Sequence, residues 1–403
     1  MNNLVATRLN GVKPSASSHA AQRARDLAAS GVEVISLATG EPDFETPPHV
    51  IEAAHAAMLS GDTKYTRVGG TPAMIKAIAL KFRRDNGLDY KASELIAAPG
   101  TKNLIFLALM ATLNPGDEVI VPAPHWVSYT DMTKLVGGAP VVVSCTQNNA
   151  YKLDAAALQG AITPRTRWVM LNTPNNPTGA VYSKQDLEDL AEVLRQHPRV
   201  MMMSDEIYEH ILFDGRKFHS FAAVAPDLKD RTLTLNGVSK AYAMTGWRIG
   251  FGGGAAPLIS AMNEVQSQTS GSICTLSQAG AVAALTGPQD YLAERAAAFQ
   301  ERRDLVIPLL DAVPGLRCHR PEGAFYLFVD CGGLLGLRSS GGATLQSDSD
   351  VAEYLLEAAR VVVVAGGAYG LSPHIRLSIA SPTDKLRIAC DRIAGAVARL
   401  MPN

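Results

Sequence analysis

The chain has 403 residues, 47% of them apolar and 19% charged, so it can bury a large core and lacks the composition of a disordered protein. Thirty-seven Lys and Arg against 38 Asp and Glu leave a formal charge of −1, without the basic excess expected of a nucleic-acid binder. No apolar run approaches the ~18 residues of a membrane span, and Met1 to Asn10 holds no apolar stretch of signal-peptide type.

Within the first 45 residues the pattern gives one helix, Ser17–Ser30, and one strand, Glu33–Leu37, with nothing to say which later part they dock on. Thr71-Pro72 reads as the N-cap and first turn of a helix over Thr71–Asn86, and Gly87 as its stop. Seven short strands follow: Glu94–Ala98, Glu118–Val121, Val141–Ser144, Arg167–Leu171, Val200–Ser204, Thr232–Leu235 and Arg248–Gly252. Amphipathic helices such as Lys102–Leu113 and Lys184–Gln196 lie between them. Strand–helix alternation predicts an α/β fold with a mostly parallel seven-stranded sheet covered by helices.

After about Gly287 the texture changes. A long helix (Gln289–Val313) leads to a strand (Ala324–Val329), a Gly/Ser-rich loop (Gly332–Ser347), a helix (Asp350–Arg360), strands Val361–Val364 and His374–Ile379, and a last helix from Thr383. This predicts a smaller α+β domain. The cysteines Cys145, Cys274, Cys318, Cys331 and Cys390 form no C-x-x-C pair, so they read as reduced thiols of a cytoplasmic protein, not as a zinc ribbon or disulfide framework.

In open α/β sheets, ligands bind beyond the carboxyl ends of the strands. There the sequence offers Gly100-Thr101-Lys102 opening an apolar helix, whose free N–H groups suit a phosphate. It also offers the turn Asn172 to Gly179, then Asp205-Glu206-Ile207-Tyr208, then Ser239-Lys240 with Arg248 beyond. Each alone has an ordinary explanation: Asp205 as the N-cap of a following helix, Asn176 as turn chemistry, Lys240 as a surface lysine, Trp126 as a core tryptophan. Together they suit pyridoxal phosphate. A lysine forms the Schiff base, a carboxylate keeps the pyridine nitrogen protonated, a phenol and an amide bind the ring oxygen, and an arginine with helix-start amides holds the phosphate.

Ser239-Lys240-Ala241-Tyr242-Ala243-Met244-Thr245-Gly246-Trp247-Arg248-Ile249-Gly250 resembles the cofactor-lysine signature of the fold-type I, class I aminotransferases. Asn175-Asn176-Pro177-Thr178-Gly179, Ser204-Asp205-Glu206-Ile207-Tyr208, Gly40-Glu41-Pro42-Asp43-Phe44 and Arg376-Leu377-Ser378 match the same family in the same order, from about Val12 to the last helix. The likeness is to bacterial aspartate aminotransferases of the branch that includes aspartate/prephenate aminotransferases. It implies a large cofactor-binding domain over 46–288, and a small domain of 1–45 and 289–403 whose N-terminal segment closes over the site.

The resemblance further implies that Lys240 carries pyridoxal 5'-phosphate as a Schiff base and acts as acid and base. Asp205 pairs with the pyridine nitrogen, Tyr208 and Asn176 contact the ring oxygen, and Trp126 stacks on the ring. Thr101, Lys102, Ser239 and Arg248 hold the phosphate, with Tyr65 reaching it from the partner subunit of a homodimer. Arg376 grips the substrate α-carboxylate, with Gly40 as a backbone contact near it. The implied reaction passes an amino group from an L-amino acid, aspartate foremost and the prephenate/arogenate pair second, to 2-oxoglutarate or another 2-oxo acid by a ping-pong route. Lys13, with Ser15 and Ser17 as helpers, is expected at the distal carboxylate, and His125 is expected to be a half-buried polar neighbour. A same-family enzyme preferring aromatic or other amino acids is the alternative.

Three readings from other classes remain. Gly250-Phe251-Gly252-Gly253-Gly254-Ala255 fits a dinucleotide fingerprint but lacks the acidic residue ~20 positions on, so the glycines are expected to close a strand. Glu206, Glu209 and His210 lack a thiolate or second histidine at ligand spacing and are expected to form a solvated helix face, not a metal site. A non-catalytic binding module would leave the catalytic set incomplete, which it is not.

Overall fold

The computed structural model describes residues 4–12 and 16–402. Strand β1 (Ile35–Ser36) comes first, followed by β2 (Leu95–Ala98), β3 (Glu118–Ala123), β4 (Ala139–Ser144), β5 (Thr166–Asn172), β6 (Met201–Asp205), β7 (Thr232–Gly237) and β8 (Gly250–Gly253). Strands β2 to β8 form one seven-stranded sheet in the order β2-β8-β7-β6-β5-β3-β4. Its β3 to β7 pairings are parallel, and β8 runs antiparallel to both neighbours.

Period-2 alternation divides the sheet's side chains between two packed faces. Leu95 and Ala97 join the core under helices Pro72–Asn86 and Thr275–Thr286, while Ile96 and Ala98 join the one under Thr101–Thr112 and Ala256–Gln268. Likewise Trp168 and Met170 face one way, and Val169 and Leu171 face the other, against helix Lys184–Gln196. Local signals set the helix ends. The Thr71 side chain accepts from Met74 N–H at 3.2 Å, and Gly87 closes the helix in the left-handed region at φ 66°.

Strands β9 (Arg317–Cys318), β10 (Tyr326–Asp330), β11 (Val361–Val362), β12 (Val364–Ala365) and β13 (His374–Ser378) complete the set. The antiparallel sheet β12-β13-β10-β9 packs with helices Asp290–Asp311 and Thr383–Val397 around a second core. The strand expected over 361–364 is two: β11 pairs in parallel with β1, and β12 pairs with β13. That pairing docks the N-terminal strand beside the later elements. The helix expected over 350–360 starts at Asp348, with a Ser347/Asp350 capping box, and ends in a π-helical turn, Leu355–Ala359. The strand expected over 248–252 starts later, because Arg248 is left-handed (φ 57°) behind a short 3-10 turn, Thr245–Trp247. The Gly250-to-Gly253 run is β8 itself, as a sheet strand and not a nucleotide loop.

Candidate active site

The carboxyl ends of β5, β6 and β7, the start of the helix after β2 and the interior strand β13 converge on a cavity of about 360 Å³. Its lining includes Gly40, Thr101, Lys102, Trp126, Asn176, Asp205, Tyr208, Ser239, Lys240, Arg248 and Arg376. One expected residue among the described ones does not join them. Tyr65 is absent from the lining and is 99% exposed. Lys13 and Ser15, and the side chain of Ser17, lie outside the described residues, although Ser18 reaches the cavity from helix Ala16–Ala29.

Asp205 ends β6 between parallel neighbours β5 and β7, so its backbone is fixed by the sheet. Its Oδ2 accepts from the Tyr129 hydroxyl at 2.7 Å, and its backbone carbonyl accepts from Asn172 Nδ2 at 2.9 Å. Burial pushes its carboxyl up to about 6, against the pull of the Tyr129 hydrogen bond. No helix follows for Asp205 to cap; residues 207–210 form turns.

Lys240 Nζ donates to the Gly40 carbonyl at 2.6 Å. Burial, then the Arg376 charge, lowers its amine to about 8. Arg376 is 2% exposed; Nη1 donates to Asn176 Oδ1 at 3.2 Å, Nη2 donates to the Ala38 carbonyl, and Nε is buried without a partner. Among the described residues no carboxylate comes within 4.0 Å of Arg376. A buried cation left unpaired costs several kcal/mol, roughly what an incoming carboxylate would relieve.

Gly100 (φ 90°) is the N-cap of helix Thr101–Thr112, and a Cβ there would collide with the Arg248 guanidinium. Gly250 is equally constrained, since a Cβ on it would run into Thr101 N and Gly100 C. A free helix N-terminus beside a guanidinium, at a glycine that admits close approach, is a nest for a phosphate. Trp126 meets Tyr129 edge-on at 5.4 Å, and Lys102 Nζ lies 4.8 Å from the Trp126 ring centroid. The set as a whole fits pyridoxal phosphate: an anion nest, a buried acid, a flat aromatic wall and an amine lowered toward neutrality.

Tyr129, Asn172 and Tyr326 also line the cavity, and none of them was singled out as a site residue from the sequence. The first two had a signal. Tyr129 stands three residues past Trp126, at helical spacing, and Asn172 is the last residue of β5, just before the turn. Tyr326 had none.

Two expectations are corrected. Glu206, Glu209 and His210 are no solvated helix face: Glu206 and Glu209 are 0% and 4% exposed, in turns, and Lys81 is buried against Glu209. His125 is fully buried, not half-buried, with Nδ1 2.9 Å from the Trp126 carbonyl.

Comparison with known proteins gives one consistent result. The signature of the family "Aminotransferase class I and II" matches residues 32–393. An aspartate aminotransferase of Rhizobium meliloti is 50% identical over 395 residues, 98% of this chain and 96% of the relative. A probable aspartate/prephenate aminotransferase of Rickettsia bellii is 48% identical over 397 residues, 98% and 100% of the two chains. The crystal structure of the Rhizobium meliloti aspartate aminotransferase superposes with a TM-score of 0.95 at 50% identity, covering 98% of this chain and 99% of that one. A Thermus thermophilus aspartate aminotransferase solved with maleate gives 0.91 at 41% identity, covering 97% and 99%.

Proposed function

Because the chain belongs to the class I and II aminotransferases, enzymes that use pyridoxal phosphate, we propose that it moves the amino group of aspartate to a 2-oxo acid at the cavity around Lys240. The observation that carries this reading is one cavity holding a lysine amine lowered to about 8, a buried carboxyl and a buried arginine without a carboxylate partner. Prephenate, itself a 2-oxo acid, is the second acceptor to test, since a relative at 48% identity is named for both substrates.

Bound pyridoxal phosphate supplies an aldehyde for the amino group and a cationic ring that takes up the electron pair left by the α-proton. The Thr101 and Lys102 backbone N–H groups, with Ser239 and Arg248, hold the phosphate. Asp205 would pair with the ring nitrogen and keep it protonated, Asn176 and Tyr208 would bind the ring oxygen, and Trp126 would stack on the ring. Arg376 forks onto the substrate α-carboxylate beside Gly40, a geometry that suits a planar guanidinium better than an ammonium. Lys240 Nζ, once neutral, takes the α-proton and would later deliver it to the cofactor side instead of back to the α-carbon.

Once those cations are assigned, Lys102 is the one left in the lining. Its side chain is therefore the described group that meets the second carboxylate of a dicarboxylic substrate, in addition to Lys13. That a Thermus relative was solved with maleate, itself a dicarboxylate, supports a dicarboxylic substrate.

The chain divides in this reading into 46–288 and 1–45 with 289–403, the N-terminal segment closing over the cavity. It works as a homodimer in which the exposed Tyr65 enters the partner's site. No described helix is long and apolar enough to cross a membrane, and the cytoplasm is its proposed compartment. Borohydride treatment of the protein with pyridoxal phosphate, followed by peptide mass mapping, should place the reduced adduct on Lys240. An adduct elsewhere rejects the assignment. A donor panel with 2-oxoglutarate then ranks aspartate against aromatic amino acids, and an acceptor panel with aspartate ranks 2-oxoglutarate against prephenate.

A further inference from the structure

Tyr326 lines the cavity but takes none of the roles assigned above. It opens β10 in the smaller sheet and is 1% exposed, and its hydroxyl lies 2.9 Å from that of Tyr208, which follows β6 of the larger sheet. A side chain at position 40 would collide with the Tyr326 hydroxyl, so the glycine there leaves this phenol its place. On the ring of Tyr326 sits the Arg376 guanidinium, its carbon 4.5 Å from the centroid.

A phenol has one proton to donate. In the contact between the two hydroxyls, the one that donates has nothing left for a third group. Arg376 favours the Tyr326 oxygen as the more acidic of the pair. Burial pushes Tyr326 up to about 12 against the pull of Arg376, while burial and Tyr326 together push Tyr208 well above the usual phenol range. The more acidic phenol is the better donor.

We propose that Tyr326 is a positioning residue whose hydroxyl donates to the Tyr208 oxygen and so leaves the Tyr208 proton aimed at the cofactor's ring oxygen. A hydroxyl that accepts one hydrogen bond also donates the next more strongly. This role rests on the assignment of Tyr208 to the ring oxygen made above.

A donor at the ring oxygen favours the state in which that oxygen carries an unshared charge, so weakening the donor raises the pH at which the visible band of the loaded protein changes. Tyr326→Phe is expected to load pyridoxal phosphate onto Lys240 as the wild type does, by borohydride mapping. It should raise the band's midpoint by about half to one pH unit, the size of one lost hydrogen bond. Tyr208→Phe should raise it further, and the double variant no further than Tyr208→Phe alone. Three results overturn the role: an unchanged midpoint in Tyr326→Phe, loss of loading in it, or an equal shift with and without the Tyr208 hydroxyl. A wild-type protein with no visible band rejects the cofactor assignments themselves, and this role with them.

Discussion

Two buried charged clusters flank the turn 206–210, and they are built on opposite terms. On one side, Lys81 contacts Glu209 Oε1 and donates to Asn86 Oδ1 at 2.6 Å, while Asn86 Nδ2 donates to Glu209 Oε2 at 2.6 Å. His210 Nε2 lies 3.1 Å from Glu209 and 3.5 Å from Asp85, and Arg84 Nε donates to Asp85 at 2.6 Å. Burial pushes the Glu209 carboxyl up, but Lys81 and His210 outweigh it and hold it at about 2. On the other side, burial prevails: Asp205 is driven toward its neutral form and Lys240 toward its own. The first cluster supplies its own counter-ions and ties helix Pro72–Asn86 to the turn. The second leaves charges unanswered, and what answers them is a ligand.

The sharpest break in that contrast is Lys240→Ala. It should lower turnover by several orders of magnitude and abolish the borohydride-trapped adduct, with the denaturation midpoint almost unmoved. The paired cluster should behave in reverse. Lys81→Met strands Glu209 and should cost about 3–5 kcal/mol in urea unfolding, while Lys81→Met/Glu209→Gln recovers part of the loss.

Asp205→Asn separates stability from function. On folding, the carboxyl's pKa rises from 3.8 to about 6, so its contribution to stability is full below pH 3.8 and is lost as pH rises through 6. The neutral variant should therefore be more stable than the cofactor-free wild type by about 3 kcal/mol at pH 8, with the gap closing toward pH 4, yet nearly inactive. Lys102→Met should lower kcat/KM for aspartate by about 10-fold to 100-fold, the worth of one charge-assisted hydrogen bond, and spare a monocarboxylic donor. The gentlest test is kinetic. Capture of pyridoxal phosphate by the cofactor-free protein needs a neutral amine, so its rate should climb with pH and level off above about 8.

What the sequence revealed follows the range of the interactions involved. Thr71 and Gly87 bound their helix through contacts a few residues away, and the site residues at strand ends follow from a parallel sheet whose strands were legible as short apolar runs. The antiparallel sense of β8 was not legible, because its partner β2 lies far off along the chain and the segment joining it to β7 holds only a short 3-10 turn that marks no direction. Nor was the burial of Glu209, whose partner Lys81 belongs to another helix. Tyr326 escaped notice for the same reason: alone it is a strand tyrosine, and only the fold brings it to Tyr208.

Strand β8 invites the protein engineer, since each interior glycine costs about 0.5–1 kcal/mol against alanine. The invitation is uneven. Just past the strand, at Gly254, an added methyl would find its nearest neighbour 3.3 Å away, the tip of Leu233, which has some freedom to yield. At Gly250 it would strike main chain at the start of the helix bearing Thr101, which no rotamer change can move aside. Libraries screened for heat resistance should therefore accept alanine at 254 and return position 250 untouched.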